Sequence, residues 1–127
     1  MTSVNIDVIH RYFAAINAED WEALALLWHP EAEWRATGAR RRIGKDDLLT
    51  YYHRALALYP QHHDDPVRII DAGETVTVEI VFTGKTRDDK PVRFDAVDVF
   101  DFEGGLIRRF SSWFDIDELR GQLQERP

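Results

Sequence analysis

The chain has 127 residues, no cysteine, and 16 Lys+Arg against 23 Asp+Glu for a formal charge of −7, which leaves room for one domain at most. Without cysteine there is no disulfide framework, thiolate nucleophile or cysteine-held metal centre. The acidic balance disfavours nucleic acid, because sequence-independent affinity comes from neutralising phosphates with Lys and Arg. No run nears the roughly 18 apolar residues that a membrane span needs. Met1 to Asp7 lacks a basic region followed by an apolar stretch, so a cytoplasmic protein is expected.

Helical spacing fills the first half. A first helix is expected from about Ser3 to Asn17, with Val4, Val8, Tyr12 or Phe13, and Ile16 on one face. Asp20 reads as the N-cap of a second helix carrying Trp21, Leu24, Ala25 and Trp28 and stopped by Pro30. Ala32 to Thr37 reads as a short strand, followed by a basic loop over residues 38–43. A third amphipathic helix carries Leu48, Leu49, Tyr52, Leu56 and Tyr59 and ends at Pro60.

From Asp65 onward the pattern changes to four antiparallel strands, divided at Ala72-Gly73-Glu74, Arg87-Asp88-Asp89-Lys90 and Glu103-Gly104-Gly105. The strand over 92–102 sets Phe94, Ala96, Asp98, Phe100 and Phe102 on one face. The strand over 106–114 groups Arg108, Phe110, Ser112 and Phe114 on one side. Asp115 and Glu118 form a capping box for a short last helix bearing Leu119 and Leu123. The order is ααβαββββα, an α+β domain whose helices either fill the concavity of the sheet or leave a pocket. Asp98 favours a pocket, since a carboxylate inside an apolar row must be solvated, hydrogen-bonded or neutral.

Several runs carry a resemblance: His10 to Asn17 with Asp20, Trp28-His29-Pro30-Glu31-Ala32, Gly44 to Tyr52, and Val97-Asp98-Val99-Phe100 through Gly105 to Trp113-Phe114-Asp115. They resemble the nuclear-transport-factor-2-like superfamily of ketosteroid isomerases, limonene epoxide hydrolase and SnoaL-like polyketide cyclases. The resemblance implies a cone-shaped curved antiparallel sheet against three helices, a hydrophobic pocket, and a homodimer formed through the sheet. No cofactor is expected. In the isomerase pattern Tyr12 matches the oxyanion-hole tyrosine, Asp98 the oxyanion-hole acid, and Tyr52 a tyrosine bonded to the first. The isomerase's catalytic aspartate falls at about Ala36. The last-strand aspartate of the cyclases and of the epoxide hydrolase falls on Ser112, and the hydrolase's central arginine–aspartate pair falls on Glu79 and Val81.

Glu79 is the carboxylate within the central strand. The resemblance turns it toward the pocket as a base, whereas the greasier row of Val76, Val78, Ile80 and Phe82 turns that row to the core and Glu79 outward. Trp28, Trp34, Ala36, Phe94, Ala96, Phe110, Ser112 and Phe114 are the expected pocket wall, suited to a small apolar or aromatic ligand. Arg35, Arg40, Arg41, Arg42 and Lys45 either meet an anionic ligand at the mouth or form a solvated loop. His62-His63-Asp64-Asp65 is not read as a metal site, since in a strand only His62 and Asp64 share a face. Two functions follow: proton transfer next to a carbonyl with Asp98, Tyr12, Tyr52 and Glu79 as its groups, or a non-catalytic ligand-binding or dimerisation module.

Overall fold

In the computed structural model, which describes residues 3–124, the elements run α1 (Val4–Ala18), α2 (Trp21–Ala25), β1 (Trp28–Ala36), β2 (Arg42–Ile43), α3 (Lys45–Leu56), β3 (Gln61–Asp71), β4 (Thr75–Lys85), β5 (Pro91–Glu103), β6 (Leu106–Phe114) and α4 (Ile116–Leu123). Local chemistry sets the helix starts. Ser3, Asp20 and Asp115 each accept a hydrogen bond from the backbone N–H three residues on, the geometry of a side-chain N-cap. Val8, Ile9, Tyr12, Phe13 and Ile16 bury the inner face of α1, while Val4 is left exposed.

The strands of the curved sheet lie in the order β2-β1-β6-β5-β4-β3. Every pairing is antiparallel except β1 with β6, which is parallel and sets Trp34 beside Phe110 and Ala36 beside Ser112. The long ribbon β3-β4-β5-β6 follows the expected turns. Its inner face carries Val76, Val78, Ile80 and Phe82 from β4 and Phe94, Ala96, Asp98, Phe100 and Phe102 from β5.

Five local expectations are corrected. The second helix stops at Ala25 rather than Pro30, and Trp28 opens β1 instead of ending a helical stripe. The reason is tertiary: Trp28 is fully buried beside Ile107 of β6, and the Ile107 N–H donates to the Leu27 carbonyl. Pro30 is accommodated inside β1 because the ladder with β6 is irregular between Trp28 and Glu33, where a missing N–H leaves no partner unpaired. The basic loop contains the two-residue strand β2. The third helix ends at Leu56, so Tyr59 lies in the following turn, and β3 begins at Gln61 rather than Asp65. Finally, a bulge opposite Asp101 and Phe102 shifts β6 by one residue, burying Ile107 and leaving Arg108 to donate to the Glu31 carbonyl.

Candidate active site

The helices do not fill the concavity. A cavity of about 310 Å³ remains between the inner face of the sheet, α1, α3 and α4. Tyr12 reaches it from α1, Tyr51 and Tyr52 from α3, Asp64 from β3, and Asp98 from the middle of β5. Trp34, Ala36, Phe94, Phe110, Ser112 and Phe114 line it, and α4 adds Ile116, Leu119 and Leu123. Among the described residues the lining contains no Lys, Arg or His.

Two expected wall residues stand elsewhere. Trp28 is fully buried behind the wall, its ring 6.2 Å from that of Tyr12 and 5.9 Å from that of Phe110. Ala96 is buried on the inner face beside Ile80 and Phe114 and does not reach the cavity. Glu79 lies on the opposite face of the sheet, where it borders a depression with Val81, Arg93 and Val97 and pairs with Arg68 at 3.6 Å. The apolar alternation of β4 predicts this placement correctly, and the resemblance does not. The cationic loop also stays outside: Arg40 and Arg42 bond Asp47, Arg41 bonds Glu33, and the Arg42 guanidinium lies 4.7 Å from the Tyr51 ring centre.

Three side chains form a chain of hydrogen bonds along the wall. The Trp34 Nε1–H donates to the Tyr52 hydroxyl at 3.1 Å, and that hydroxyl lies 2.6 Å from the hydroxyl of Tyr12. With one lone pair of Tyr52 taken by Trp34, the Tyr52 proton can point to Tyr12, which frees the Tyr12 proton for a group in the cavity. Both phenols are buried, and burial pushes each well above the ordinary phenol range, so both remain proton donors at any physiological pH.

Asp98 is 3% exposed, and its Oδ1 is buried without a hydrogen-bond partner. Burial raises its pKa to about 8, against the opposing effect of Ser112, which faces it on β6, and with a further push from the charge of Asp64. At neutral pH Asp98 is therefore mainly a neutral acid that can donate a hydrogen bond.

Asp64 is a carboxylate of the lining that the sequence pattern did not assign to the cavity. It is half-buried, and burial raises its pKa to about 6, with His62 and His63 acting in the opposite direction. Its backbone is held by Asn17 of α1, whose side-chain amide donates to the Asp64 carbonyl at 2.9 Å and accepts from its N–H at 2.8 Å. The signal was the shared face of His62 and Asp64. What sequence lacked was the position of α1, which fixes that face as the inner one.

Comparison with known proteins supports the architecture. The sequence profile described as SnoaL-like domain matches residues 9–110. No curated protein matches the sequence. Among solved structures, an NTF2-like protein from Burkholderia pseudomallei superposes with a TM-score of 0.90 at 17% identity, over 98% of this chain and 100% of that one. TerC, co-crystallised with polyporic acid, gives 0.88 at 18% identity over 97% and 100%. An LEH-like epoxide hydrolase from M. tuberculosis gives 0.83 at 20% identity over 96% and 90%.

Proposed function

This chain belongs to the SnoaL-like domain family, and we propose that its cavity binds a small, flat, ring-containing compound through a carbonyl or phenol oxygen and promotes proton transfer at the neighbouring carbon. The observation that carries this reading is the buried, unpartnered Oδ1 of Asp98 in a cavity walled by aromatic rings, with the Trp34–Tyr52–Tyr12 chain on the same wall. An orphaned buried polar atom costs free energy unless a ligand or water meets it. A neutral acid and a phenol aimed at one oxygen would stabilise negative charge developing there, the arrangement that lowers barriers to enol and enolate formation. In this reading Asp98 and Tyr12 are the donors and Tyr52 the orienter. The ligand of TerC is consistent with small-molecule binding in this fold.

The test is titration of 2-naphthol, a planar phenol that resembles an enol, followed by calorimetry and thermal shift. Wild-type protein should bind it, and Tyr12→Phe and Asp98→Leu should each weaken binding roughly tenfold, the cost of one lost buried hydrogen bond. Equal affinity in all three proteins would remove both residues from the site. A purely ligand-binding protein would show the same affinities without turnover of any enone or ketone. We further propose a homodimer through the outer face of the sheet, supported by the half-exposed row that contains Val67 and Trp113.

A further inference from the structure

Proton transfer at carbon needs a base as well as oxygen donors, and the carboxylate of Glu79 lies on the far side of the sheet. Among the described residues lining the cavity, the carboxylates are Asp98 and Asp64. We propose that Asp64 is the general base of this cavity, taking the proton from the carbon next to the ligand oxygen that Asp98 and Tyr12 hold.

Three features of the geometry carry this. Asp64 borders the same cavity as Asp98 and Tyr12, with Phe82 beside it on β4 and Phe94 next to that on β5, so an apolar ring seated on those faces lies against its carboxyl group. Its register sets it apart from Asp98. Asp64 faces Phe82 whereas Asp98 faces Val78, four residues away along β4, so the two acids meet different atoms of a ligand and do not share one proton. Asn17 clamps both backbone groups of Asp64 on the free edge of β3, fixing its position from the helix side.

Electrostatics separates the two roles. The Asp64 carboxyl loses its proton near pH 6 and Asp98 near pH 8, so between those values the first is an acceptor and the second a donor. The Asp64 charge also raises Tyr12 and Tyr52, keeping both phenols protonated while it is ionised.

The step balances without a co-reactant. Asp64 accepts the proton of the α-carbon, and the C–H electron pair becomes the enol carbon–carbon double bond. The carbonyl electrons move to oxygen under the hydrogen bonds of Asp98 and Tyr12. Once the proton held by Asp64 has swapped with solvent, delivery of a solvent proton to the same carbon gives exchange, and delivery of the proton to a conjugated carbon gives isomerisation.

The proposal rests on the reading above, and hydrogen–deuterium exchange of 2-tetralone in D₂O, followed by proton NMR, tests it separately. Wild-type protein should accelerate α-proton exchange about a hundredfold or more over buffer. Asp64→Asn should fall to near the buffer rate while binding 2-naphthol within about threefold of wild type, which also reports that the variant is folded. Exchange by Asp64→Asn at the wild-type rate would overturn the assignment. So would a wild-type protein that binds 2-naphthol yet leaves 2-tetralone exchange at the buffer rate. Failure of the wild-type protein to bind 2-naphthol overturns the reading beneath it instead, and with it the base.

Discussion

Asp98 is a single carboxylate in a row of hydrophobic side chains, and its protonation couples the cavity to the stability of the molecule. Its folded pKa lies near 8, above the ordinary value of 3.8, so the folded state holds this proton more tightly than the unfolded chain does. The stabilisation is complete below about pH 4 and is lost as pH rises toward 8, an effect on the order of 6 kcal/mol at most. Asp98→Asn, which mimics the neutral acid, should therefore melt higher than wild type at pH 8 to 9 and flatten the decline of melting temperature with pH. A parallel decline in both proteins would mean that another group governs the slope. Under the proposed proton transfer the same acids also set a pH profile. With Asp64 as acceptor and Asp98 as donor, the rate of 2-tetralone exchange should rise through about pH 6 and fall through about pH 8. The titratable groups around Asp64 are His62 on the same face of its strand, His63 next to it in sequence, Tyr12 from α1, Tyr52 from α3 and Asp98 from β5, and Glu19 at the end of α1 engages His62 at 2.6 Å. A flat profile from pH 5 to 9 would contradict the division of roles.

At the level of elements, the short last helix has more to do than cap the chain. β6 ends at Phe114, opposite Ala96, so the backbone of β5 beyond that point lacks a strand neighbour on one side. Gln122 of α4 supplies both missing partners: its amide accepts from the Arg93 N–H at 2.8 Å and donates to the Arg93 carbonyl at 2.7 Å. This docking lays Ile116, Leu119 and Leu123 against the cavity. Gln122→Ala should speed amide exchange across residues 116–123 and weaken 2-naphthol binding, with a loss of about 1–2 kcal/mol in docking α4. Unaltered exchange there would mean that apolar packing alone holds α4. Gly38 is the second constraint on this helix. Its φ of +79° belongs to the left-handed region, and a Cβ there would meet the Ile116 side chain at 3.0 Å. Gly38→Ala should therefore lower stability by about 1–2 kcal/mol in urea denaturation. The helix boundaries show what local pattern misses. Trp21, Leu24, Ala25 and Trp28 have helical spacing, yet the pairing of Trp28 with β6 outweighs it, because burying one indole in the sheet is worth more than one further turn of helix.

For the whole molecule, the two faces of the sheet divide its roles. The inner face carries the core and the cavity; the outer face presents Val67 and Trp113, 56% and 45% exposed, with the Arg35 guanidinium 5.3 Å from the Trp113 ring. A dimer through this face predicts a species of twice 14.8 kDa by sedimentation at micromolar concentration, and Trp113→Glu should shift it to the monomer. A wild-type protein that sediments as 14.8 kDa alone would reject the interface. No helix among the described residues is long and apolar enough to cross a membrane.

The sequence by itself determined the α+β class, the N-caps Asp20 and Asp115, the turns of the β3-to-β6 ribbon and the inward row that contains Asp98, because capping and two-residue alternation are local physics. It also held the correct answer for Glu79 in the apolar alternation of β4. Only the tertiary structure decided that the helices leave the concavity open, that Trp28 belongs to β1, and that Asp64 enters the cavity. Each of these depends on contacts between residues far apart in the chain: α1 on β3 through Asn17, β1 on β6 through Ile107, and α4 on β5 through Gln122. Spacing along one segment carries no information about which distant segment will cover it.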